Sequence, residues 1–215
     1  MSDRKGSSAS TAVTVWLTLA FAGLAMAAPV RAQTNVTVRS LAAPLSFVDG
    51  WGQVVTTADF AGKWLFVYFG YMHCADQCPL GLTVMGAAID EIGRAARHLQ
   101  PLFVTVDPER DHGEPLAKFA DAFHERLIGL TGSEQQVAAA AGAMGVVFSK
   151  ARQGDDYTVD HSSSYSLVNP ERTTVITFKD AEPHLVAARI IAVLAKAGVD
   201  LSDVSNLGAF RSGAP

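Results

Sequence analysis

Two cysteines occur in this 215-residue chain, Cys74 and Cys78, with three residues between them. Thiolates at that spacing can hold one soft metal ion or act as a dithiol–disulfide couple. A disulfide that merely tied the loop would do little, because so short a ring removes little chain entropy. The surrounding stretch, residues 64–79, indicates how the sulfurs are presented. Residues 65–69 form an apolar run without alternation, which reads as a strand buried on both faces. Gly70 ends the run, the Cys-x-x-x-Cys loop follows, and Pro79 opens a segment of helical periodicity. The sulfurs then sit at a helix N-terminus, where unpaired N–H groups and the macrodipole favour thiolate over thiol. His161, in Asp160-His161-Ser162-Ser163-Ser164, is the second candidate, since its polar surroundings leave no apolar packing role. His73 extends from a strand beside Cys74, so its side chain should point away from that of Cys74 and pack or hydrogen-bond behind the loop. His98, His112, His124 and His184 lie in or beside amphipathic or polar segments and read as solvated.

Positioning these residues requires a defined set of elements. Residues 36–38 and 45–48 are short extended runs, Asp49-Gly50 is a turn signal, and Val54-Val55 returns as the second strand of an N-terminal hairpin. After the strand at 65–69, residues 80–99 place Val84, Ala88, Ile92 and Ala95-Ala96 on one helical face, with Gln100-Pro101 as the stop. A second apolar strand spans 102–106 and runs into Asp107-Pro108-Glu109-Arg110-Asp111. A helix over 116–123, an extended segment over 127–130 and a helix over 137–144 follow, the last fronted by a Ser133/Gln136 capping box and closed by Gly145. Residues 146–148 read as a short strand and 154–156 as a loop. Residues 157–161 lead into 164–168, which pairs with 173–178 as an antiparallel hairpin. Asp180 is the expected cap of a last helix over 183–197, ended by Gly198. This order gives an α/β fold with a mixed central sheet flanked by helices. The cysteine loop and the Asp107–Asp111 loop leave the carboxyl ends of the two parallel strands, so they should be neighbours in space.

The chain is 49% hydrophobic and carries a net charge of −4, which suits a globular domain and offers no basic patch for nucleic acid. Arg4 and Lys5 precede an uncharged apolar run over residues 11–28, and Val30-Arg31-Ala32 fits a cleavage site. Residues 1–32 therefore read as a signal peptide or a retained N-terminal membrane anchor, 33–200 as the functional domain and 201–215 as a peripheral tail. Either reading exports the domain. The expected location is periplasmic, soluble after cleavage or anchored in the inner membrane.

Three segments, Gly70-Tyr71-Met72-His73-Cys74-Ala75-Asp76-Gln77-Cys78-Pro79, Val106-Asp107-Pro108-Glu109-Arg110-Asp111 and Val159-Asp160-His161-Ser162, resemble the motifs of the Sco/SenC/PrrC family in order and spacing. The resemblance covers roughly residues 35–197. It implies a thioredoxin-like fold and a copper protein that helps assemble the dinuclear copper centre of cytochrome c oxidase. By the same resemblance Cys74, Cys78 and His161 are the copper ligands and Asp107 is a nearby acidic residue. Two thiolates and an imidazole suit Cu(I) and tolerate Cu(II), although zinc accepts the same donors. The implied function is a metallochaperone whose partners are the oxidase copper-containing subunit and other periplasmic copper chaperones or thiol reductants. Two other functions fit the dithiol: thiol–disulfide exchange by Cys74 and Cys78 on the oxidase subunit's cysteines, which is the enzymatic reading, and redox or copper sensing; a peroxidase would need an isolated activated cysteine beside an arginine. Met72 and Ala75 depart from the family's usual Thr and Pro. Met72 could contact copper or simply fill the core beside the loop.

Overall fold

The computed structural model describes residues 36–74, 77–154 and 156–202; the expected leader and the tail beyond residue 202 lie outside them. The elements, in order, are β1 (Thr37–Ser40), β2 (Ser46–Asp49), β3 (Val54–Thr56), β4 (Trp64–Gly70), α1 (Gln77–Ile92), β5 (Leu99–Thr105), α2 (Gly113–Asp121), β6 (Ile128–Thr131), α3 (Glu134–Met144), β7 (Phe148–Gln153), β8 (Asp156–His161), β9 (Tyr165–Val168), β10 (Thr174–Phe178) and α4 (Pro183–Lys196). Among the described residues, eight strands form one mixed sheet in the order β1-β10-β9-β4-β5-β6-β2-β3, while β7 and β8 pair only with each other. Only the β4–β5 and β5–β6 ladders are parallel; the remainder are antiparallel.

The apolar run expected at 65–69 is the centre of this sheet. All seven residues of β4 are buried, with β5 on one side and β9 on the other. Parallel pairing brings Gly70 opposite Thr105, so the loops after β4 and β5 leave from one edge. Antiparallel pairing sets Tyr165, the first residue of β9, opposite Tyr68, which brings the chain after β8 to that same edge. Three distant segments thus converge at one edge of the sheet. The N-terminal hairpin forms as expected: Asp49 Oδ1 accepts the N–H groups of Trp51 and Gln53 at 2.8 Å, and Gly52 takes the positive φ that the turn requires. α1 and α4 pack on each other, and Phe119 of α2 stacks on Phe103 of β5.

Four sequence expectations are corrected. The helix after the cysteines ends at Ile92, because Gly93 adopts φ 59° and the chain continues as a 3-10 helix, Gly93–His98; Gln100 and Pro101 belong to β5. The strand expected at 146–148 begins only at Phe148 and runs to Gln153, forming with β8 a hairpin that the sequence reading did not contain. Asp180 does not cap α4: it binds the Arg189 guanidinium, and the cap position is Glu182 followed by Pro183. Leu201, assigned to a peripheral tail, is buried in the core. The Ser133/Gln136 capping box is present, and Gly145 closes α3 in the left-handed region.

Candidate metal centre

The sheet edge gathers the sulfurs by local geometry. Gly70 ends β4 with no side chain, and a Cβ there would lie 3.1 Å from Cys78 Sγ and 3.1 Å from Phe103 Cε2. Only glycine lets the first turn of α1 seat its cysteine so close to the strand. Cys78 is fully buried, Cys74 is half-buried, and no disulfide joins them. The Cys78 backbone N–H points at Cys74 Sγ at 3.4 Å, the helix-terminus contact that the sequence implies. His161, the last residue of β8, brings Nε2 to 2.9 Å from Cys78 Sγ. Its Nδ1 faces the Ser162 carbonyl oxygen at 3.3 Å. A proton on Nδ1 donates to that carbonyl and leaves the Nε2 lone pair toward the sulfurs.

The two sulfurs and the imidazole nitrogen all lie within 4.8 Å of one another. An ion bound at about 2.0–2.3 Å by such donors separates them by about 3.5–4 Å, so the group could close on a metal with small side-chain movements. The cluster faces an open depression of about 350 Å³ walled by Tyr71, Gln77, Val159 and Ser163. Burial raises the Cys78 thiol well above its ordinary value, with the Cys74 hydrogen bond adding to the shift. At Cys78 burial thus works against the thiolate that a helix terminus favours. Burial also lowers the His161 imidazole below 6.5. Without metal the pair is thus neutral, and a metal entering the site must displace the Cys78 proton.

The two aspartates of the second loop have separate tasks. Asp111, fully buried, accepts the Met72 N–H and the Thr105 hydroxyl, each at 2.7 Å, and so fixes the approach to Cys74. His73 is half exposed and turns its Nδ1 to Asp111 at 3.4 Å, behind the loop as expected. Asp107, also fully buried, accepts from Arg110 and from the Tyr157 hydroxyl, not from the cysteine pair. Met72 packs against the core. His124, expected to be solvated, has a side chain only 10% exposed, and its Nδ1 accepts the Arg126 N–H. Sequence reasoning missed Tyr71, whose ring meets His161 edge-on with centroids 6.1 Å apart, and Tyr157. A signal for Tyr157 did exist: it alternates with Val159 and His161 along one strand.

A protein-family model described as SCO1/SenC matches residues 34–196. The chain is 38% identical over 138 residues to "Protein SCO1 homolog 1, mitochondrial" of Arabidopsis thaliana, covering 63% of this chain and 41% of that protein. It is 40% identical over 128 residues to "Protein SCO2 homolog, mitochondrial" of Homo sapiens, covering 58% of this chain and 48% of that protein. The match thus spans less than half the length of these curated relatives. Among solved structures, Arabidopsis thaliana ScoI with copper bound is 34% identical at a TM-score of 0.67, covering 73% of this chain and 99% of that one. The likeness bears out the thioredoxin-like fold. Both curated relatives are named as mitochondrial proteins, which overturns the expected periplasmic location, soluble or anchored. Among the described residues, no helix is long and apolar enough to cross a membrane.

Proposed function

Because the chain belongs to the SCO1/SenC family, we propose that it is a copper metallochaperone that holds one ion through Cys74, Cys78 and His161 and delivers it to the copper-containing subunit of cytochrome c oxidase during assembly. The observation that carries this reading is the convergence of two thiols and one imidazole within 4.8 Å at the edge of the sheet. The donor set fits the cargo: thiolate sulfur selects Cu(I), and an imidazole beside it keeps Cu(II) accessible. The partly exposed Cys74 and the open depression beside it suit an ion that must leave as well as enter.

Copper analysis of the purified protein tests the ligand set. About one copper per chain is expected, with thiolate-to-Cu(II) charge-transfer bands, and both are lost in Cys74→Ala and Cys78→Ala. His161→Ala should weaken binding by about tenfold or more. Unchanged copper affinity in His161→Ala would overturn the assignment. Mixing the loaded protein with the isolated copper domain of the oxidase subunit tests delivery; copper should move to that domain, and copper that stays in place would count against a delivery role.

A further inference from the structure

The hairpin β7–β8 raises a mechanical question. It makes no ladder with the eight-stranded sheet among the described residues, yet its last residue is His161. Its distance from Cys78 is set by side chains together with the three-residue link to β9 and the Ser162 N–H bond to the Val147 carbonyl. On β8, Tyr157, Val159 and His161 share one face, because strand side chains alternate. We propose that Tyr157, Asp107 and Arg110 form a latch that positions His161 over the cysteine pair. This inference rests on the ligand set proposed above and adds residues that act through His161 without touching the ion.

The contacts give the latch its strength. The Tyr157 hydroxyl donates to Asp107 Oδ1 at 2.8 Å, and Arg110 Nε donates to Asp107 Oδ2. Arg110 Nη1 donates to the Tyr157 carbonyl at 3.2 Å and to Asp156 Oδ1 at 3.1 Å, and its guanidinium carbon lies 3.8 Å from the Tyr157 ring centroid. Tyr157 is thus held by its hydroxyl, ring and carbonyl at once. Asp107 follows β5 closely and is fully buried, and its N–H donates to Thr105 Oγ1 at 3.0 Å, so the anchor belongs to the rigid sheet edge. The other strand of the hairpin is tied less firmly. Lys150 reaches Glu109 at 2.8 Å and Glu134 at 3.3 Å, but both carboxylates are well exposed, and such pairs are screened by water. Hydrogen bonds to a buried carboxylate are the stronger class.

The test is a double-mutant cycle on copper affinity, read by competition with a chromophoric chelator, using Tyr157→Phe, His161→Ala and the double variant. Tyr157→Phe removes one hydroxyl and keeps the ring. It should weaken copper binding about tenfold in the wild-type background and cause no further loss once His161 is Ala. An equal loss in both backgrounds, or none in the wild type, overturns the latch. A second measurement needs no copper: amide hydrogen exchange of the metal-free protein. In Tyr157→Phe, residues 156–161 should exchange faster while β4 and α1 keep their protection; unchanged exchange over 156–161 also overturns the latch. If the wild type fails to bind copper, the proposed ligand set fails, and the exchange experiment still decides the latch on its own.

Discussion

Burial governs the chemistry of single residues in this site more than charge does. The His161 imidazole, buried against Cys78, has its pKa lowered from 6.5. The unfolded chain therefore takes up this proton first as pH falls. The stability linked to His161 is present above pH 6.5 and is lost as pH drops toward the lower folded value. The metal-free protein should lose melting temperature between about pH 7 and pH 5, and His161→Gln should flatten that slope. Cys78 and Tyr68 shift the other way: burial raises the thiol well above 9.0 and pushes the phenol from 10.0 up to about 12. Their unfolded forms ionise first on the alkaline side, so this stability is present below pH 9 and lost as pH rises beyond it. Thermal melts across both ranges check the two signs together.

At the scale of elements, the join between β4 and α1 matters most. Gly70→Ala sets a methyl 3.1 Å from Cys78 Sγ and 3.1 Å from Phe103. Overpacking there should cost about 1–3 kcal/mol by urea denaturation. It should also weaken copper binding, because the displaced atom is a proposed ligand. Ser133→Ala is the matched control: it breaks the α3 capping box and should cost about 0.5–2 kcal/mol while copper affinity holds. How legible an element was depended on its burial. Strands β4, β5, β9 and β10 are apolar enough to be read directly, and so is the cysteine loop that β4 feeds. Hairpin β7–β8 is half polar, with Ser149, Lys150, Asp156 and Asp160 among its residues, so only Tyr157, Val159 and His161 mark its inner face. Its position depends on contacts with a loop far away in sequence, which no local pattern records. Helix α1 was overextended because its apolar face continues past Gly93, and only the left-handed φ of that glycine breaks it. The two cysteines were legible from their type and spacing and His161 through the resemblance of its motif, whereas Tyr157 and Asp107 acquire their roles only through each other.

Across the whole molecule, one arginine ties the pole opposite the metal site. Arg172 donates to the carbonyls of Thr57, Phe60, Lys63 and Asn169 at 2.6–2.8 Å, from a backbone held at φ 57°. These carbonyls belong to the chain entering β4 and the turn leaving β9. Arg172→Ala would strip several of them of their donor at once. A loss of about 2–4 kcal/mol in urea is expected, with copper affinity of the folded fraction unchanged. Arg172→Lys should recover only part of it, since one ammonium cannot reproduce the fork. A different consequence follows from the Cys78–His161 contact, which joins positions 83 residues apart. The sulfurs are brought together by one local strand–helix unit, whereas the imidazole arrives only after a long stretch of chain has closed, and such non-local closure is slow. A half-folded chain would hold both thiols without the nitrogen. During refolding, full affinity for the ion should therefore appear no earlier than the finished tertiary structure, so the centre reports that folding is complete.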